Sequence, residues 1–302
     1  MESPSVHTEP SEVSGGTLYV VATPIGNLQD FTPRALNILR NVNVIAAEDT
    51  RVTGQLLKHF GITTPMISVR EHNERSMADK IVARLQAGDA VAQVSDAGTP
   101  AISDPGAQLV AAVHDAGLKV VPIPGASALT SALSVAGFTC AHTLFYGFLP
   151  PKTRQRQDAL APLVNLPYAT VFYEAPHRIL DTMADLVACF GADRTALLAR
   201  EITKTFETLK RGPLSALQSW TESDSNQQRG EFVIVIDAAP PAPADAEDAH
   251  DGVLLPLLAE LPVKQAVALA QKISGAPRNA LYERALQLKA AAAADDEDGE
   301  ED

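Results

Sequence analysis

A chain of 302 residues, 46% hydrophobic and 20% charged, is long enough to bury cores in two domains. No apolar run approaches the roughly 20 residues that span a bilayer, so no membrane association is expected. The net charge of −13 argues at first against a nucleic-acid partner, but residues 295–302 hold seven acids and no bases, and without them the balance is −6. Cys140 and Cys189 give neither a disulfide framework nor a metal-binding spacing, and the first residues lack a basic-then-apolar leader. A reduced, cytoplasmic protein without a metal is the expectation.

Residues 1–15 are polar and read as a disordered N-terminus. From residue 16 onward, strand-like and helix-like segments alternate. Strands are predicted at 17–22, 42–47, 66–69, 90–94 and 119–123. Helices are predicted at 33–39 (with Thr32 as cap), 54–60, 74–86, 107–113 and 126–135. This alternation implies an α/β domain over 16–138 with a mostly parallel sheet covered on both faces. A second α/β domain, with more antiparallel pairing, is predicted over 139–238. Its helices fall at 154–163 and 177–190, and its strands at 169–173, 195–199, 206–212 and 231–236. Residues 239–252, rich in Ala, Pro and acids, read as a linker. Residues 253–289 read as a small helical segment, broken by Ser274-Gly275-Ala276-Pro277 in the manner of a helix-turn-helix. There Lys264, Lys272, Arg278, Arg284 and Lys289 stand against Glu260 and Glu283, a local reversal of charge that suits RNA; simple packing is the alternative. Residues 290–302 read as an acidic, disordered tail.

The loop Ser95-Asp96-Ala97-Gly98-Thr99-Pro100-Ala101-Ile102-Ser103-Asp104-Pro105-Gly106 joins a predicted strand to a helix. Open α/β sheets place ligands at such loops. Asp104 and Pro105 read as a helix cap and first turn, but a cap needs only about two residues, and the extra length favours a ligand loop. Thr23-Pro24-Ile25-Gly26-Asn27-Leu28 and Pro124-Gly125-Ala126-Ser127-Ala128 follow strands of the same sheet, so all three loops should meet at one edge. The first has no triple-glycine spacing, which argues against a nicotinamide dehydrogenase. Glu48-Asp49-Thr50-Arg51 ends the second strand as either a catalytic pair or a helix cap. Phe172-Tyr173-Glu174-Ala175-Pro176-His177-Arg178 suits recognition of a ribose, base or phosphate, or else only starts a helix. Lys204, after the strand at 195–199, adds charged reach toward a substrate.

These motifs, in this order and spacing from about residue 16 to 236, resemble the ribosomal RNA small-subunit methyltransferase I family of the tetrapyrrole-methylase superfamily. The segment 264–289 is similar to that family's C-terminal helix-turn-helix. The resemblance implies two α/β domains with S-adenosyl-L-methionine between them and a homodimer. It also implies 2′-O-methylation of a cytidine ribose in the decoding region of 16S ribosomal RNA, with the assembled 30S subunit as substrate. By resemblance, Ile25, Gly26, Asp96, Gly98, Thr99, Ser127 and Ala128 lie at the cofactor. It settles no base. Among residues able to accept a proton, Glu174 or His177 is expected to serve, with Asp49 in reserve. Arg51, Arg178 and Lys204 suit phosphate or ribose positioning, and Arg278 and Arg284 suit RNA. A methylase of a small tetrapyrrole-like ring and a non-catalytic RNA-binding or assembly protein are the alternative readings.

Overall fold

The computed structural model describes residues 12–240 and 250–297. The expected N-terminal disorder up to residue 11, the linker at 241–249 and the tail at 298–302 lie outside the described residues. Two compact units are present, divided at Ala239 and Pro240.

The first unit holds two five-stranded sheets. In the first, β1 (Thr17–Val21), β2 (Val44–Ala47), β3 (Met66–Ser68), β4 (Val91–Val94) and β5 (Lys119–Ile123) run parallel in the order β3-β2-β4-β1-β5. Strands buried on both faces need runs of apolar residues, which the inner strands β1, β2 and β4 largely supply, while the edge strands β3 and β5 are partly exposed. Tyr19, Val21, Ile45 and Val94 face α1 (Pro33–Asn41) and α2 (Thr50–His59) through Ile38, Leu39 and Leu57. Leu18, Val44 and Val91 face α3 (Glu74–Gln86) and α4 (Ala107–Asp115) through Ile81, Leu85, Leu109 and Val113. Thr32 caps α1 as expected, accepting from the Ala35 amide at 3.1 Å, with Pro33 in the first turn. Helix α2 begins at Thr50, earlier than predicted, because Asp49 caps it.

The expected Asp104 cap does not form. Helix α4 begins after Gly106, whose φ of +133° no L side chain adopts readily. The open Leu109 amide donates instead to Glu74 Oε1 of α3 at 3.0 Å. A buried carboxylate from another helix thus does the work expected of a local cap.

Next in the chain comes α5 (Ala128–Ala136), followed by the second sheet: β6 (Thr143–Phe148), β7 (Ala169–Glu174), β8 (Thr195–Arg200), β9 (Thr208–Pro213) and β10 (Phe232–Ile236), in the order β6-β7-β10-β8-β9. Only β6 and β7 pair in parallel; the others are antiparallel. One face packs α6 (Thr153–Leu160), α7 (Ile179–Phe190) and α8 (Leu214–Ser223) through Leu160, Met183, Leu186 and Leu217. The other face packs α5, with Ala132 and Ala136 against Val171, Leu197, Val233 and Val235. The expected boundary at 138 groups α5 with the first sheet, whereas its packing groups it with the second. The chain therefore crosses between the sheets at 124–127, immediately after β5.

The second unit consists of α9 (Asp251–Glu260), α10 (Val263–Ser274) and α11 (Arg278–Glu297) around Leu254, Val267, Ala270, Leu281 and Ala285. Gly275, left-handed at φ +71°, ends α10. Helix α11 runs on to Glu297, past the expected start of a disordered tail at 290, because the alanines at 290–294 are the strongest helix formers.

Candidate active site

The loops after β1, β4 and β5 are bonded into one wall. Thr23 and Gly98 exchange backbone hydrogen bonds of 2.8 and 3.0 Å, and Thr99 Oγ1 donates to the Ala126 carbonyl at 3.2 Å. Gly125 permits the close approach: a Cβ there would lie 2.9 Å from the Ala22 Cβ. From β2, the Asp49 amide donates to Asp96 Oδ1 at 3.1 Å, and the Asp96 amide donates to Glu48 Oε2 at 3.4 Å. Within the loop after β4, Ala101 and Ser103 hold φ of 66° and 63°. Left-handed backbone at a residue with a Cβ costs about 1–2 kcal/mol, and such strain gathers where geometry must be fixed.

The second sheet supplies the opposite wall. Gly147, at φ +83°, lets β6 approach so closely that a Cβ would lie 2.8 Å from Ser103 Oγ. The Leu129 amide, at the start of α5, donates to the Tyr173 hydroxyl at 3.0 Å. Phe145 and Phe148 meet the Tyr173 ring edge-on, with centroids 5.0 and 5.7 Å away.

Between these walls lies a cavity of about 380 Å³. Ile25, Asp96, Gly98, Thr99, Ser127 and Ala128 all line it. The second sheet adds Phe148, Tyr173, Pro176 and Phe232. Its charged lining is acidic: Glu48, Asp96, Asp104, Glu174 and Glu231. Burial, and then the Glu48, Asp96 and Glu231 carboxylates, push Asp104 up to about 6 against a hydrogen bond from Ser95. Burial also raises Glu48, helped by Asp96 and Asp49 and opposed by the Asp96 amide, and raises the Tyr173 phenol.

Comparison with known proteins decides the family. A profile described as "Tetrapyrrole (Corrin/Porphyrin) Methylases" matches residues 17–218, and one described as "RsmI C-terminal HTH domain" matches 243–289. The Ribosomal RNA small subunit methyltransferase I of Pseudomonas aeruginosa is 51% identical over 278 residues, covering 91% of this chain and 98% of that protein. The protein of the same name from Escherichia coli O157:H7 is 46% identical, covering 91% and 96%. The chain belongs to the ribosomal RNA small subunit methyltransferase I family. It is a methyltransferase. Solved structures share the fold of the larger unit. A diphthine synthase aligns with a TM-score of 0.56 at 16% identity, covering 74% of this chain and 90% of that one. The uroporphyrin-III-C-methyltransferase from Thermus thermophilus aligns at 0.52 and 19%, covering 74% and 94%.

In this member of the methyltransferase I family, several residues expected at the site have other occupations. Asp49 caps α2 through the Arg51 amide at 2.8 Å and is gripped by the Arg51 guanidinium, which holds its carboxyl well below the usual range. That makes it a poor proton acceptor, and its partner Arg51, 80% exposed, is a surface ion-pair member. Glu174 lines the cavity through its backbone side: its carboxylate is sealed, accepting from the Ala175 amide at 2.7 Å and Thr182 Oγ1 at 2.6 Å. Arg178 lies 3.2 Å from Glu174 and donates to the Leu149 carbonyl at 2.6 Å. These two residues therefore brace β7 and the turn after β6. His177 is exposed and follows the lining residue Pro176 without lining the cavity itself.

Lys204 is held by Glu201 at 2.8 Å and Glu231 at 2.7 Å, so its charge is already matched. Its stem packs over Gly26, where a Cβ would collide with the Lys204 Cγ, and Gly26 does not line the cavity. Arg284 clamps Asp251 at 2.7 Å and braces α9 against α11, whereas Arg278 is exposed as expected of an RNA contact. Sequence reasoning missed Glu231 as a cavity acid, and it read Asp104 as an acceptor of the ligand loop and a helix cap without naming it as a catalytic or binding residue. The left-handed Ser103 and Ala101 that turn Asp104 inward leave no mark in residue type.

Proposed function

We propose that this chain transfers the methyl group of S-adenosyl-L-methionine to the 2′-hydroxyl of a cytidine ribose in the decoding region of small-subunit (16S) ribosomal RNA. The observation that carries the reading is an acid-lined cavity at the crossover between two sheets, in a chain of this family. The residues fit the cofactor: a sulfonium and an ammonium are cations, and Glu48 and Asp96 offer carboxylates to them. Ile25, Phe148 and Phe232 offer apolar surface to a purine. When bound, the cofactor supplies a methyl with its own leaving group. What remains for the chain is to align the ribose oxygen, exclude water and take up a proton.

RNA is favoured over a small ring by the second unit, where Lys264, Lys272, Arg278 and Lys289 are all exposed. Relatives named for the small subunit's RNA favour it too. The assembled 30S subunit as substrate and a homodimer as the working form belong to the same proposal, and sedimentation of the purified protein checks the second. Ribose methylation is mapped across ribosomal RNA from cells lacking the gene. One decoding-region cytidine should lose its 2′-O-methyl group and regain it when purified protein and cofactor are added to 30S subunits. An unchanged map would overturn the proposal; methylation of naked RNA alone would overturn the assembled substrate.

A further inference from the structure

A ribose 2′-hydroxyl is a weak nucleophile until its proton has somewhere to go. The partners of each cavity carboxylate decide which one can take it. Glu174 is sealed against Thr182 and the Ala175 amide. Glu231, its side chain 76% exposed, is neutralised by Lys204. Asp96 accepts from the Asp49 amide, and Glu48 from the Asp96 amide. Asp104 is left. It lies on the cavity wall, half-buried, between Ser103 at φ 63° and Pro105, a backbone that holds its direction.

We propose that Asp104 is the catalytic proton acceptor, its carboxylate taking the 2′-hydroxyl proton as the methyl is transferred. In that step the O–H bond breaks and its proton passes to Asp104. An oxygen electron pair forms the new C–O bond, and the S–CH₃ bond of the sulfonium donor breaks with its pair left on sulfur. The inference rests on the ribose-methylation reading above. The groups facing Asp104 are Glu48 after β2, Ser95 and Asp96 after β4, Tyr173 on β7 and Glu231 before β10 with its partner Lys204. Burial, and then the Glu48, Asp96 and Glu231 carboxylates, hold it up at about 6 against the Ser95 hydrogen bond, where a carboxylate is ionised at neutral pH yet far more basic than usual.

Wild-type protein is assayed first for 2′-O-methylation of 30S subunits; no ribose methylation at all removes the reading beneath the inference, and the inference with it. Given that activity, single-turnover rates at saturating cofactor and RNA are followed from about pH 5 to 9 for wild type, Asp104→Asn and Asp104→Glu. The wild-type rate should climb to a plateau with a midpoint near 6. Asp104→Asn should lose about 10²–10⁴-fold and the acid limb, with Asp104→Glu recovering part of both. Its cofactor affinity, by calorimetry without RNA, should change by less than about threefold. Carbon-detected NMR of the ligand-free protein should show a carboxyl titrating near 6 that vanishes in Asp104→Asn. An Asp104→Asn rate within about tenfold of wild type would overturn the proposal, as would a cofactor affinity that falls in step with the rate. A wild-type rate flat below pH 7 would overturn it too, and needs no folded variant.

Discussion

The loop after β4 and the turn after β7 are alike on paper: each follows a strand, enters a helix and carries acids and prolines. Their side chains are used in opposite ways. After β7, Glu174 and Arg178 turn inward and satisfy Thr182, the Ala175 amide and the Leu149 carbonyl. After β4, Asp104 is left facing a cavity among like charges, on a backbone bent through left-handed residues. The first arrangement lowers the energy of the fold. The second raises it, which a protein keeps only where a ligand or a reaction needs it. Richness in polar residues does not distinguish the two; satisfaction of those residues does.

The comparison breaks if Glu174 is dispensable to the fold. Glu174→Ala leaves Thr182 and an amide unpaired and Arg178 without its partner, and should lower stability by about 2–4 kcal/mol in urea melts. Methylation per folded molecule should fall far less than in Asp104→Asn. A variant of full stability and greatly reduced rate would reverse the assignment. A second probe is Gly106→Ala. It forces a Cβ into the Gln93 amide at a φ of +133°, and should cost about 2 kcal/mol or more. Adding Gln93→Ala should recover the collision part and leave the backbone part.

A smaller effect has the opposite sign. In the native state Asp104 stands near 6 rather than 3.8, so ionising it disfavours the fold. Stability from its protonated form is full below about 3.8 and is lost as pH rises toward about 6. Asp104→Asn should therefore match wild type near pH 4 and exceed it at pH 8 by about 1 kcal/mol, after allowance for solvent screening. A variant less stable than wild type at pH 8 would show that the carboxylate is satisfied after all. The smallest effect belongs to Arg51→Ala. Its ion pair with Asp49 is at the surface, and no resolvable change in melting temperature is expected.

The alternation of strands and helices made every strand but β6 legible in the sequence, most plainly β2, β4 and β10, which are apolar at nearly every position. Convergence of the three glycine-bearing loops followed from parallel strands alone. What stayed hidden was long-range. The amphipathic pattern of α5 marks a buried face without saying which sheet buries it. Glu74 caps α4 from 35 residues away, so Asp104 and Pro105 looked like the cap they are not. Glu174 could have been placed from the alternation of β7: it shares parity with Phe172, which points into the core, while Tyr173 points to the α5 side. Glu231 reaches the cavity only through the strand order of the second sheet, which composition does not encode.

The crossover at 124–127 also decides where this protein can be cut. A fragment ending just after β5 keeps five paired strands and the four helices that cover them. Extending it to residue 138 adds a helix whose Ala132 and Ala136, 0% and 1% exposed in the whole chain, have no sheet left to cover. The longer piece should be the worse behaved one, and the complementary piece should fold only when it begins early enough to carry α5. Halves severed at 125 and expressed together should reassemble across the cavity, the first bringing the loops after β1, β2 and β4 and the second the 126–128 turn with the wall from the second sheet.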